Sequence, residues 1–185
     1  MQIFRLEALS GPLSPARFRL FGSESQLLAR FEERREGGIL HFTKLRTVMP
    51  LLLHVEWIPS RTHLLLEREK GLWVPYLYWV KSSHGKTIWC FRRESMLFGE
   101  LKWRVFDPYA NEVAGVRSSN PLIVGPQRAK ITDSAQQIQA TFTWKNWSFW
   151  KGFREAQIEI LSAPDPWTEM ATIAAVIRGL ELQQR

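Results

Sequence analysis

The sequence predicts a mainly β fold: a closed antiparallel β-barrel of about 12 strands around a buried apolar C-terminal α-helix. Three observations carry that expectation. Short apolar, β-branched or aromatic runs recur between turn residues at intervals of about 8–12 residues, the spacing of an antiparallel sandwich or barrel. Within the runs, hydrophobicity alternates with a period of two. Only the last segment breaks the pattern, and it is apolar nearly all the way round a helix. About a dozen strands exceed what an open twisted sheet holds comfortably, which favours closure into a barrel or folding into a sandwich.

In chain order, Phe18 to Phe21, Gln26 to Phe31 and Ile39 to Leu45 are separated by Gly22-Ser23-Glu24-Ser25 and by Gly37-Gly38, and read as successive hairpins. Trp73 to Val80 and Thr87 to Arg93 flank Ser82-Ser83-His84-Gly85. Leu101 to Phe106 and Glu112 to Val116 flank Asp107-Pro108-Tyr109-Ala110-Asn111. Both connections have the composition of hairpin turns. Leu101, Trp103 and Val105 share one strand face, opposite Lys102 and Arg104. Ile138, Ala140, Phe142 and Trp144 do the same, opposite Gln137, Gln139, Thr141 and Thr143. The strands are expected within residues 2–161 and the helix over 166–182, all in one domain spanning 1–185.

Asp165 suits the helix N-cap and Pro166 the first helical position. Met170, Ala171, Ile173 to Ile177 and Leu180 then cover almost the whole circumference. A helix apolar on every side belongs in a membrane or a core. This one falls short of the roughly 20 residues a span needs, so it is expected to run inside the barrel, with Glu181 to Arg185 emerging into water.

The 185 residues include 25 Lys+Arg against 18 Asp+Glu, for a net charge of +7, and a single cysteine, Cys90. One cysteine excludes an internal disulfide and a thiolate zinc site within the chain. A reduced, cytosolic setting is expected, peripheral to the membrane and without a secretory signal, transmembrane segment or lipid anchor. The basic balance implies attraction to polyanions. The three aspartates, Asp107, Asp133 and Asp165, all stand in turn contexts, so no clustered carboxylate cage for a hard cation is expected.

The stretch Leu72 to Ser118, with its turns at His84-Gly85 and Asp107 to Asn111, resembles the repeated hairpins of the tubby C-terminal-like superfamily, which includes tubby domains, phospholipid scramblases and LURP-one-related proteins. The segment Trp147-Ser-Phe-Trp-Lys-Gly-Phe-Arg-Glu155 is similar to the one preceding the last strand of scramblases, and Met170 to Leu180 to their buried helix. The resemblance implies a barrel of roughly twelve strands around a central helix. It also implies what does not carry over. Scramblases hold an Asp-rich segment taken to bind calcium before the final helix, whereas Ala156 to Leu161 here contains only Glu159. Their Pro-rich leader and acylated cysteine cluster have no counterpart, and the Lys/Arg phosphoinositide pocket of tubby domains cannot be assigned residue by residue.

No catalytic residue, metal ligand or cofactor is expected, since no nucleophile elbow, phosphate loop or paired-histidine motif occurs. His41 and His54 read as mid-strand residues, His84 as a turn residue and Cys90 as a small buried hydrophobe. Two groups are candidates for binding anions or lipid. The first is the hairpin set Lys81, Lys86, Arg92, Arg93, Lys102 and Arg104. The second is the aromatic-basic stretch with Lys145, Lys151 and Arg154, whose Trp144, Trp147 and Trp150 suit a membrane interface unless they fill the barrel. The expected function is a non-enzymatic barrel engaging anionic lipid head groups or a protein partner. A nucleic-acid-binding module is the alternative and an enzyme of unknown class the second.

Overall fold

Strand alternation decides which side chains enter the core, and turn chemistry decides which strands meet. A computed structural model of the chain describes residues 1–9, 15–34, 51–68, 77–94, 100–119, 126–145 and 154–183. The strands are β1 (Gln2–Ala8), β2 (Arg17–Phe21), β3 (Leu27–Glu33), β4 (Leu51–Trp57), β5 (Thr62–Arg68), β6 (Leu77–Ser82), β7 (Thr87–Arg93), β8 (Glu100–Phe106), β9 (Glu112–Ser119), β10 (Gln127–Asp133), β11 (Ile138–Lys145) and β12 (Glu155–Ile160), followed by α1 (Pro164–Gln183). Each strand pairs antiparallel with its neighbours in sequence, and β1 pairs with β12 to close the barrel. The twelve-stranded reading therefore stands. Ile39 to Leu45 lies outside the described residues.

Five short connections at one rim share a backbone device. Ser25, Arg61, Gly85, Ala110 and Gln136 each take a positive φ at the same point of the β2–β3, β4–β5, β6–β7, β8–β9 and β10–β11 turns. In each, the N–H of that residue bonds to the carbonyl three residues earlier, that of Gly22, Ile58, Ser82, Asp107 or Asp133. The register then slips by one residue in every one of these hairpins except β4–β5. A type I turn closed by a left-handed residue and a bulge matches the right-handed twist of the strands. Side chains reinforce it: Asp107 Oδ1 accepts from the Tyr109 and Asn111 amides at 2.9 and 2.8 Å, and Asp133 Oδ1 from the Gln137 amide at 2.9 Å. Two of the three aspartates are thus consumed by turn geometry.

The helix fills the barrel. Twelve consecutive residues, 170–181, are buried, which a helix lying on an outer surface could not achieve because one face would meet solvent. Asp165 has extended backbone angles (φ −92°, ψ 133°), the conformation of a residue preceding a helix, so regular helix begins at Pro166 as predicted. The helix packs mainly against β11, β12 and β1. Large inward side chains from around the barrel, among them Phe18, Phe31, Phe91, Phe142 and Trp144, fill the space between wall and helix.

Trp144 and Gly179 set the closest approach. The Trp144 indole N–H donates to the Ala175 carbonyl at 3.0 Å, and a Cβ added to Gly179, one turn further on, would lie 2.6 Å from Trp144 Cζ2. Trp144 is fully buried. It is an interior residue, not part of an aromatic interface, because the strand period that makes Lys145 face outward turns Trp144 inward.

Candidate functional site

Four of the nine predicted cations, Arg92, Lys102, Arg104 and Lys145, lie on the outer face of the barrel over β7 to β11. Arg92 lies on β7 with its guanidinium 4.6 Å from the Phe106 ring centroid, and it stands opposite Arg104 of β8 in the strand register. Lys102, two residues from Arg104 on β8, stands opposite Arg117 of β9, which stands opposite Lys130 of β10. With strands about 4.8 Å apart, these three cations form a row about 10 Å long across the sheet. All three side chains are exposed.

Charge compensation along this face is uneven. Glu94 and Glu112 both engage Arg104, the latter at 3.3 Å. Among the described residues neither Lys102 nor Lys130 has an ion pair, and Arg117 meets only the neutral Gln136 Oε1, at 3.4 Å. Another basic pair, Arg19 and Arg30 on β2 and β3, stands between Glu7 and Glu56. The Lys102–Arg117–Lys130 row has a carboxylate at one end only, where Glu94 lies across from Lys102 and turns to Arg104, and Thr141 stands opposite Lys130 at the other. Like charges in direct register destabilise a sheet, so three adjacent cations with a carboxylate at only one end are less balanced than the Arg19–Arg30 row.

Between Arg104 and Arg117, Gly115 leaves the sheet surface without a side chain. The resulting depression, about 340 Å³, is lined by Lys102, Arg104, Arg117, Thr132 and Gln136 together with Glu94 and Glu112. Thr132 Oγ1 donates to the Gly115 carbonyl at 3.4 Å across its floor.

The other predicted residues distribute as follows. Lys81 is on the outer face of β6, paired with Glu67, and Lys86 is exposed in the β6–β7 turn. Lys145 ends β11, bonded to Gln157, and Arg154 precedes β12, where its carbonyl accepts the Ala8 N–H at 2.7 Å. Lys151, Trp147, Trp150 and His41 lie outside the described residues. Arg117, Arg128 and Lys130 were not anticipated, yet they fill the gap between the β7–β8 and β11–β12 groups. The signal for Arg128 and Lys130 is the alternation Arg128-Ala-Lys130-Ile, which marks an outward basic edge on β10.

Arg93 does not belong to the surface. Being one residue from Arg92 it faces inward, and its guanidinium lies 3.5 Å from Glu181 Oε1. Glu181 in turn is only 7% exposed and 3.7 Å from the Arg178 guanidinium, so the helix does not emerge into water at that point. Arg178, fully buried, also donates to Gln127 Oε1 at 2.9 Å. This interior polar cluster ties the helix end to β7 and β10. Burial pushes the neighbouring Tyr78 phenol far above its usual value, and the Glu181 charge adds to the shift.

Two carboxyls outside this cluster are shifted. The Asn111 side-chain amide holds the Asp107 carboxyl below its usual range, with the turn amides adding to the effect. Partial burial raises Glu169, near Asp165 at the helix start. His54 is half-buried on β4, His84 is exposed in its turn, and Cys90 is 8% exposed on β7. Among the described residues no three His, Cys, Asp or Glu side chains converge, and no helix is long and apolar enough to cross a membrane. No family model, curated protein or solved structure matches the chain.

Proposed function

We propose that the chain is a non-enzymatic, tubby-like barrel that associates with anionic lipid head groups at a membrane surface through the outer face of β7 to β11. The observation carrying this reading is the Lys102–Arg117–Lys130 row, three cations in direct register whose neighbouring carboxylates are taken by Arg104. A sheet gains nothing from such a row by itself, whereas an anionic surface supplies the missing countercharge. Tyr109 supports it: 83% exposed at the tip of the β8–β9 turn, it belongs to the hairpin that carries Lys102 and Arg104, and tyrosine suits the head-group region.

The test is co-sedimentation with phosphatidylcholine vesicles, with and without phosphatidylglycerol, at low salt. The anionic vesicles are expected to pellet the protein and the neutral ones to leave it in solution. Joint replacement of Lys102, Arg117 and Lys130 by Ala should weaken binding by about 3 kcal/mol, at about 1 kcal/mol per basic residue near a charged surface, or more than a hundredfold. Protein left in the supernatant with anionic vesicles at low salt overturns the reading. Binding to single-stranded RNA with a steep salt dependence, in the absence of vesicle binding, would replace it by the nucleic-acid alternative.

A further inference from the structure

The geometry points to a seat for one phosphomonoester group in the depression over Gly115, an inference that rests on the anionic-surface reading and narrows it to a ligand class. The starting observation is the glycine itself. Glycine inside a strand is destabilising, through lost chain entropy and absent packing, and it often marks a place where a ligand or another backbone comes close. Gly115 has no backbone reason to be glycine, because Gly85 alone among the described glycines has a positive φ. Packing constrains it at one point only. A Cβ built there would meet one atom within 4 Å, Thr132 Oγ1 at 3.2 Å, and would otherwise project into the open depression.

The surrounding groups suit a phosphate. Arg117 offers a planar fork of donors and Lys102 a point charge, the pair of cation types that recurs around phosphate oxygens. Gln136 accepts from Arg117 through its Oε1, which leaves its amide N–H groups as donors on the same rim. The Thr132 hydroxyl lies at the floor, where it would exchange its long 3.4 Å bond to the Gly115 carbonyl for one to a phosphate oxygen. Lys130 stands next in register to Arg117 and adds charge without lining the depression. The two lining carboxylates, Glu94 and Glu112, are both turned to Arg104, so the unmatched charge is on the side of Lys102 and Arg117. A terminal phosphomonoester brings a near-dianion and three acceptor oxygens into such a site, whereas a phosphodiester brings one charge and two substituents. The same chemistry occurs as the head group of phosphatidic acid and in soluble sugar or glycerol phosphates.

The experiment compares phosphatidylcholine vesicles carrying equal surface charge as phosphatidic acid or as phosphatidylglycerol, and in parallel titrates glycerol 3-phosphate while the Gly115 and Thr132 amides are followed by NMR. The expected result is a preference of about tenfold for phosphatidic acid, the scale of one charged hydrogen-bonded contact, and saturable amide shifts. In Gly115→Val the preference should fall to about one, while the urea midpoint holds or rises because a β-branched residue favours a strand. Should Gly115→Val fail to fold, Thr132→Val, which removes the floor hydroxyl at nearly constant volume, must lower the preference in its place.

Equal binding to both vesicles, with no saturable shift, overturns the seat but leaves the surface reading intact. Binding to neither vesicle with saturable shifts removes the surface reading and assigns the seat to a soluble phosphomonoester. Binding to neither vesicle without shifts overturns both. Shifts reproduced by chloride at matched ionic strength, or retained in Gly115→Val, also overturn the seat.

Discussion

Replacing Gly179 by Ala should destabilise this protein, the opposite of what the substitution does in an ordinary helix. In an exposed helix interior, Ala is favoured over Gly by about 1 kcal/mol, because glycine loses more backbone entropy on folding. At Gly179 the new methyl carbon would lie 2.6 Å from Trp144 Cζ2, 3.1 Å from Cη2 and 3.3 Å from Phe18 Cε1. Carbon atoms rest comfortably at about 3.5–4.0 Å, so the indole must retreat by about 1 Å. It has nowhere to go. Trp144 is fully buried, packed edge-on against Phe18 with ring centroids 6.3 Å apart, and bonded through its N–H to the Ala175 carbonyl at 3.0 Å.

Overpacking a tight core costs about 1–3 kcal/mol, and stretching the Trp144 to Ala175 bond adds about 1 kcal/mol. After subtracting the propensity gain, a net loss of about 1–3 kcal/mol remains, or roughly 2–4 °C in melting temperature per kcal/mol for a chain of this size. Urea denaturation should show a lower midpoint at an unchanged slope. Repeating the substitution in a Trp144→Phe background should cost less, with a coupling of at least about 0.5 kcal/mol in the double-mutant cycle. A Gly179→Ala protein as stable as the parent, or more so, would refute the packing argument.

Two further outcomes follow from the interior cluster. Glu181→Gln leaves the Arg93 and Arg178 guanidiniums without the carboxylate that lies 3.5 and 3.7 Å away, and should cost about 3 kcal/mol, the lower end for breaking a buried pair. Glu112→Gln, at an exposed pair, should cost less than about 1 kcal/mol, and thermal melts that rank the two in the other order would contradict the burial assigned to Glu181. Tyr78 keeps its proton in the folded state at a pH where the unfolded chain loses it, so the folded state binds more protons above about pH 10 and stability falls as pH rises. Tyr78→Phe should remove that decline from urea midpoints measured between about pH 9 and 11, and an unchanged slope would show that Tyr78 titrates normally.

The elements differ in how far they could be read from sequence. Thr87 to Arg93 matches its strand in the structure, and Leu101 to Phe106 differs by one residue, because their flanking turns carry Gly85 or Asp107 and Asn111. The turn at Arg61 is less visible, since it has no glycine and carries Ile58 where the β8–β9 and β10–β11 turns have Asp107 and Asp133. Adjacency in the chain groups Arg93 with Arg92, whereas a strand sends adjacent side chains to opposite faces. A charge following an apolar helical run suggests solvent for Glu181, and its partner Arg93 is far away in sequence. The basic surface was half legible: Lys102 and Arg104 stand out on an alternating strand, but nothing local links them to Arg117 or Lys130.

The sequence by itself determined the class of the fold, because alternation, turn residues and an all-round apolar helix are local properties of the chain. Twelve half-apolar strands and one helix with no polar face have few ways to hide their apolar surface other than closing the strands around the helix. Tertiary structure alone decided which residues became neighbours. Register across β8, β9 and β10 depends on turn lengths and on single-residue bulges, and a slip of one residue would turn Lys102, Arg117 and Lys130 away from one another. The bulges arise within single hairpins, but the pairing of one hairpin with the next and the closure of β1 on β12 are non-local, and they convert a scattered excess of positive charge into a row with a glycine-floored depression beside it.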